Sequence, residues 1–269
     1  MTPARERYTH GHHDSVLRTH AWRTVENSAA YLVPELTPGL TVLDVGSGPG
    51  TITIDLAERV APGRVVGVDT SADVTRKAAD LAAERSVSNA NFVVGDAYAL
   101  DFEDASFDIV HVHQVLHHLA DPVAALTEFR RVCKPGGVVA VREVDYAGTI
   151  WYPELPGLAE WMALYQRVHR SNGGEPDAGR RLKAWAQAAG FTEVESSASI
   201  WCFSTEDERR WWGEAWAERA VASGFADTAL GSSLASTSDL ERIRDAWLTW
   251  VSSPEGWLSM PHGEVLCRV

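Results

Sequence analysis

The stretch Thr41-Val42-Leu43-Asp44-Val45-Gly46-Ser47-Gly48-Pro49-Gly50 decides the fold. A short apolar run passes without a break into a glycine-rich turn, and beyond it Ile52, Leu56 and Val60 recur at helical spacing. The alternation then repeats. Residues 64–68, 91–94, 107–112 and 137–141 read as further buried strands. Val74, Ala78 and Leu81 form a helical stripe behind Ser71, a favourable N-cap. Asp121-Pro122 opens another helix with a cap and a proline at the first helical position, and Pro135-Gly136-Gly137 is expected to end it.

Buried strands alternating with amphipathic helices predict a doubly wound, mostly parallel α/β sheet. A helix over 179–190, a strand near 191–195 and a last, antiparallel strand over 260–269 extend it, with 202–259 reading as a helical insertion. The expected organisation is one domain: a helical lid over 1–40, a ligand-binding core over 41–145, and the remaining core elements with a helical cap over 146–269.

In such sheets ligands sit beyond the carboxyl ends of the strands, where strand order reverses. Glycines at 46, 48 and 50 let the backbone turn sharply and approach a ligand closely. Three companions stand at the later strand ends. Asp69 is placed to accept hydrogen bonds from both hydroxyls of a ribose, Gly95-Asp96-Ala97 follows the third strand, and His113-Gln114 follows the fourth. The loop has GxGxG spacing after Asp44, rather than the GxGxxG of dinucleotide enzymes.

Together with Val66-Gly67-Val68-Asp69, Phe107-Asp108-Ile109-Val110, Leu116-His117-His118-Leu119-Ala120-Asp121-Pro122 and Arg130-Arg131-Val132-Cys133-Lys134-Pro135-Gly136-Gly137, these motifs resemble the class I SAM-dependent methyltransferases. The likeness is to the branch typified by ubiquinone and menaquinone biosynthesis, with its Rossmann-like fold. It implies S-adenosylmethionine (SAM) as methyl donor and S-adenosylhomocysteine (SAH) as product, with no metal. It implies a donor site formed by Asp44, Gly46, Ser47, Gly48, Gly50, Asp69, Thr70, Ser71, Gly95, Asp96, Ala97, His113 and Gln114, Asp96 taking the adenine amino group. An N-terminal segment folds over SAM in the wider family, so Tyr8 and Arg23 are expected lid contacts. More loosely, Tyr8-Thr9-His10-Gly11-His12-His13 and Met260-Pro261-His262-Gly263-Glu264 resemble thiol-methylating enzymes of natural-product pathways.

His117 follows the fourth strand, and Glu143 and Asp145 stand near the end of the fifth. A His–carboxylate pair is suited to deprotonating a hydroxyl, which makes His117 and Glu143 the catalytic candidates. A thiol acceptor ionises near neutrality and needs less help. His10, His12 and His13 lack the matched ligands of a metal site and read as lid or surface.

Ten of the 11 tryptophans lie at or after Trp151, none of them in the core. So aromatic a cap over the strand ends would wall an apolar pocket, with His118, Trp151, Tyr152, Trp161, Tyr165, Trp211 and Trp212 as its expected lining. A formal charge of −13 argues against a nucleic-acid partner. No apolar run reaches bilayer-spanning length, no secretory leader is read, and three scattered cysteines suggest no disulfide framework. The expectation is a cytoplasmic methyltransferase acting on a small aromatic or heterocyclic metabolite of specialised metabolism. Sulfur is slightly ahead of oxygen as the acceptor atom. Quinone-type C-methylation, a protein using SAM or SAH structurally, and an NAD-dependent oxidoreductase are the alternatives. Oligomeric state is not legible.

Overall fold

The computed structural model describes residues 22–269, and Tyr8, His10, His12 and His13 lie outside them. Among the described residues eight strands form one sheet: β1 Thr41–Val45, β2 Arg64–Asp69, β3 Ala90–Val94, β4 Phe107–His113, β5 Cys133–Val144, β6 Ile150–Tyr152, β7 Glu193–Phe203 and β8 Trp257–Arg268. The first five are parallel in the order β3-β2-β1-β4-β5. β8 runs antiparallel to β5 through Val138↔Arg268 to Val144↔His262. β7 pairs along β8's other edge, while β6 takes up its first residues, Trp257 to Ser259. Strand order therefore reverses between β1 and β4. That is where an open α/β sheet binds its ligand.

The helices form where capping chemistry starts them. α1 (Val25–Ser28) is closed by Thr24 and Asn27 in a reciprocal box, α2 (Thr51–Val60) leaves the glycine turn, and α3 (Ala72–Glu84) starts at Ser71. α4 (Pro122–Val132) begins on Asp121, whose carboxylate accepts from Ala124 N at 3.0 Å. One face of the sheet packs on α1 and α2 through Val25, Leu32, Ile52 and Leu56; the other packs on α4 and α6 (Leu182–Ala188) through Leu126, Phe129, Leu182 and Ala186. Residues expected to belong to a lid are thus already core from Val25 onward.

The added helices come in two pieces. α5 (Pro156–Ser171) lies between β6 and β7, and α7 (Glu206–Ala222), α8 (Gly224–Gly231) and α9 (Thr237–Ser252) lie between β7 and β8. They share a separate apolar core in which the Trp161 ring meets those of Trp216 and Trp247 edge-on at 4.7 and 4.8 Å. Two expectations need correction. Pro135-Gly136-Gly137 does not end α4; it lies inside β5, where Gly136 N donates to Val269 O and Val269 N to Gly137 O. β7 is more than twice the expected length, because β8 offers it a continuous edge.

Trp161→Ala is expected to lower unfolding free energy by about 3–5 kcal/mol, the usual cost of emptying a buried aromatic site. Urea denaturation followed by tryptophan fluorescence measures it.

Candidate active site

At the β1 end the turn is built from inside. Asp44 is buried and accepts from Thr53 Oγ1 at 2.5 Å and from His111 Nδ1 at 2.7 Å, so it ties β1 to α2 and to its neighbour in β4. Gly46 has φ +74°, and a Cβ there would lie 2.2 Å from Val115 Cγ2. Only glycine lets the loop lie this close to the turn after β4. Gly48 instead faces open space, with no atom within 4 Å of where its Cβ would be. Its N–H donates to Asp69 Oδ2 at 3.1 Å, while Ser71 N donates to Asp69 Oδ1 at 3.0 Å. Ser47 Oγ is buried without a hydrogen-bond partner among the described residues.

Across from the loop, the turn after β4 is organised by one carboxylate. Glu143, fully buried on β5, accepts from Val115 N at 2.8 Å, Leu116 N at 2.6 Å and His117 N at 3.4 Å. His117 Nδ1–H donates to its Oε2 at 2.6 Å. The expected pair forms, with Glu143 as the group that positions the ring. Asp145, the other candidate carboxylate, is held by Arg180 through bonds of 2.6 and 2.5 Å. His169 of α5 arrives from the cap and donates from Nε2 to His117 O at 2.6 Å. Burial pushes the His169 pKa down to about 3, so the ring is neutral and its Nδ1 carries a bare lone pair that meets no partner among the described residues.

A second polar chain closes the same end of the sheet. Arg23 donates to Gln114 Oε1 at 2.6 Å, and Gln114 Nε2 donates to His262 Nε2 at 2.8 Å. Gln114 takes a left-handed backbone, φ +54°, which turns the chain out of β4. His113 and His262 are buried, and their pKa values are pushed well below the ordinary range. Burial is the main cause, followed by the charges of Arg23 and Arg142.

The methyltransferase-domain family matches residues 36–201, more than half of the chain. An uncharacterized methyltransferase of Schizosaccharomyces pombe is 37% identical over 97% of this chain and 96% of its own length. The chain belongs to the class I SAM-dependent methyltransferases. A demethylmenaquinone methyltransferase of Lactococcus lactis is 34% identical over 58% of this chain and 68% of its own. The YcgJ protein of Bacillus subtilis shares the fold at a TM-score of 0.58, with 20% identity over 89% of this chain and 97% of that one.

In this methyltransferase Asp69 ends β2 with Thr70 and Ser71 directly after it, and Gly95, Asp96 and Ala97 follow β3; Asp96 is exposed and accepts from Tyr98 N at 2.9 Å. The aromatic candidates divide. Trp161, Tyr165 and Trp212 are packed inside the cap's own core and offer no open wall. Tyr152 is 55% exposed, while Trp151 and Trp211 are half-buried beside Trp161 and Trp22. His118 stays in the site, its ring 3.8 Å from that of His117. His169 and Arg180 were not anticipated. Both come from the second half of the chain, and only the adjacent Gly173-Gly174 turn after a helix hints that α5 delivers a side chain there.

The buried histidines set an acid limit. Their folded pKa values lie below the unfolded value of about 6.5, so below that pH the unfolded chain takes up protons that the folded one refuses. Stability from His113 and His262 is complete above about pH 6.5 and falls as pH drops, by up to about 1.4 kcal/mol per pH unit for each. Urea midpoints between about pH 7 and pH 5 are expected to show this, with a shallower slope in His262→Gln.

Proposed function

We propose that this methyltransferase moves the methyl group of SAM to a small acceptor held between the turn after β4 and the cap. One observation carries the reading. The contact of Gly46 with Val115 brings the glycine loop against the turn bearing His117, so the donor's loop and the reacting side meet at the reversal of strand order.

The residues fit the donor. Asp69 would take the ribose hydroxyls, Asp96 the adenine amino group, and the open face at Gly48, with the unpartnered Ser47 hydroxyl, the remaining polar groups. SAM supplies an electrophilic methyl on a positively charged sulfur. The chain's own task is then placement, since alignment at near-attack distance removes much of the barrier.

Sulfur is the favoured acceptor atom, ahead of oxygen. Glu143 is already satisfied by three backbone N–H groups, and hydrogen bonds to a carboxylate stabilise its charge. Its charge is shared among these donors, so His117 meets no carboxylate devoted to the imidazole. A thiol tolerates this; an alcohol does not. The likeness to a demethylmenaquinone methyltransferase favours quinone carbon as a second reading.

Asp69→Ala is expected to weaken SAM binding by about 1–3 kcal/mol through loss of charge-assisted hydrogen bonds; calorimetry showing unchanged affinity would remove the ribose assignment. Incubation with labelled SAM and a panel of aromatic thiols, phenols and quinones, read by mass spectrometry, is expected to give a methyl thioether and SAH. A methylated ring carbon in the quinone arm would instead establish the second reading.

A further inference from the structure

Among the described residues, His117, His118 and His169 are brought together with one ring nitrogen from each lying within 4.8 Å of the others. Two come from the turn after β4 and the third from α5, 52 positions along the chain. Hydrogen bonds fix which nitrogen of His169 and of His117 carries the lone pair. A carbonyl oxygen only accepts, so His169 must carry its proton on Nε2 and present Nδ1 as a lone pair. That atom is buried and has no partner. His117 gives its Nδ1 proton to Glu143, which leaves Nε2 as the lone pair on the far side of its ring. A ligand histidine tied through its other nitrogen to a carboxylate or a backbone carbonyl is the arrangement that orients metal-binding imidazoles. Here one ring has each kind of tie.

We propose that His117, His118 and His169 form a three-histidine site for Zn2+, open at its fourth position toward the acceptor. Neutral imidazoles select a borderline cation over Mg2+ or Ca2+, which prefer oxygen. Zinc–nitrogen bonds of about 2.0–2.1 Å in a tetrahedron require nitrogens about 3.4 Å apart, inside the 4.8 Å bound of the present spacing. Three protein ligands with one position free is the pattern of a reactive zinc site. Glu143, behind His117, supplies a negative charge against the cation.

The role of the fourth position rests on the methyl-transfer reading. An acceptor thiol binding there loses its proton to solvent, because zinc-bound thiols ionise. The thiolate lone pair then forms the new S–CH3 bond as the donor's S–CH3 bond breaks, and its electrons remain on sulfur in neutral SAH. Zinc keeps its oxidation state throughout. No separate base is needed, and His117 serves as a ligand instead of carrying a proton.

The test uses the untagged full chain, stripped with a chelator and dialysed. Elemental analysis after zinc loading is expected to give one Zn2+ per chain, and Co2+ to give the intense visible bands of a tetrahedral site. His169→Gln and His118→Gln should each weaken Co2+ binding at least tenfold, with thermal melts confirming that they fold. Glu143→Gln should weaken it about 10–100-fold, as loss of an outer-shell partner does. A His10/His12/His13→Ala variant should bind as the parent does. Absence of stoichiometric metal, or Co2+ affinity unchanged in both folded glutamine variants, would overturn the site. So would loss of binding in the N-terminal variant alone. Adding an aromatic thiol to the Co2+ protein should bring a sulfur-to-cobalt charge-transfer band; no band overturns acceptor ligation. These readouts need neither SAM nor turnover, so a failure of methyl transfer stays distinguishable from a failure of metal binding.

Discussion

A carboxylate removed from water is costly unless donors surround it, by several kcal/mol even after relaxation. Glu143 meets that demand with the backbone N–H groups of Val115, Leu116 and His117 and the imidazole of His117. The demand therefore shapes the turn after β4. That turn in turn sets the face against which Gly46 packs, and its carbonyl at His117 is the point where α5 docks through His169. The glycine loop, the turn after β4 and the cap all take their positions from one buried carboxylate. The Asp44–His111–Thr53 cluster does the same work one strand away.

Much of this was legible because it is local. β1 begins and ends where the apolar run does, and Ser71 and Asp121 cap the helices that follow them, since capping depends on a few adjacent residues. The loop glycines and Asp69 were legible for the same reason. The remainder depends on pairing over long sequence separations. Pro135-Gly136-Gly137 has the composition of a turn, yet the chain's last residues satisfy its backbone and make it strand. Asp145 stands beside the chosen Glu143 at the end of the same strand, but Arg180, 35 positions on, occupies it and leaves Glu143 to His117. Tryptophan content announced an aromatic cap but did not distinguish wall from core. Trp161 and Trp212 pack on other cap residues, because three inserted helices and α5 must bury faces of their own.

The division of the molecule into two apolar cores has chemical meaning. The sheet and its flanking helices carry the glycine loop and Asp69, while the helix bearing His169 packs in a core of different composition. The glycine loop and the His169 side of the turn after β4 are thus stabilised by separate sets of contacts. The cap can change its packing, and with it the pocket, while the loop at 46–50 is left as it is. The histidine cluster lies on the seam, with two of its rings from one side and one from the other.

β8 gives the architecture a temporal consequence. It is the wedge that joins β5 to β7, and it follows the whole of α7–α9 in sequence. Until it arrives, β7 has no neighbour among the described strands, and the carboxyl half of the sheet stays open. Non-local pairings of this kind delay folding, because loop-closure entropy is spent before contacts repay it. The amino-terminal half, with its contiguous β1–α2–β2–α3–β3 run, can organise first. Assembly of the carboxyl half is then a late event, and a chain stalled at that stage would hold the glycine loop in near-final form while exposing an unpaired edge at β5.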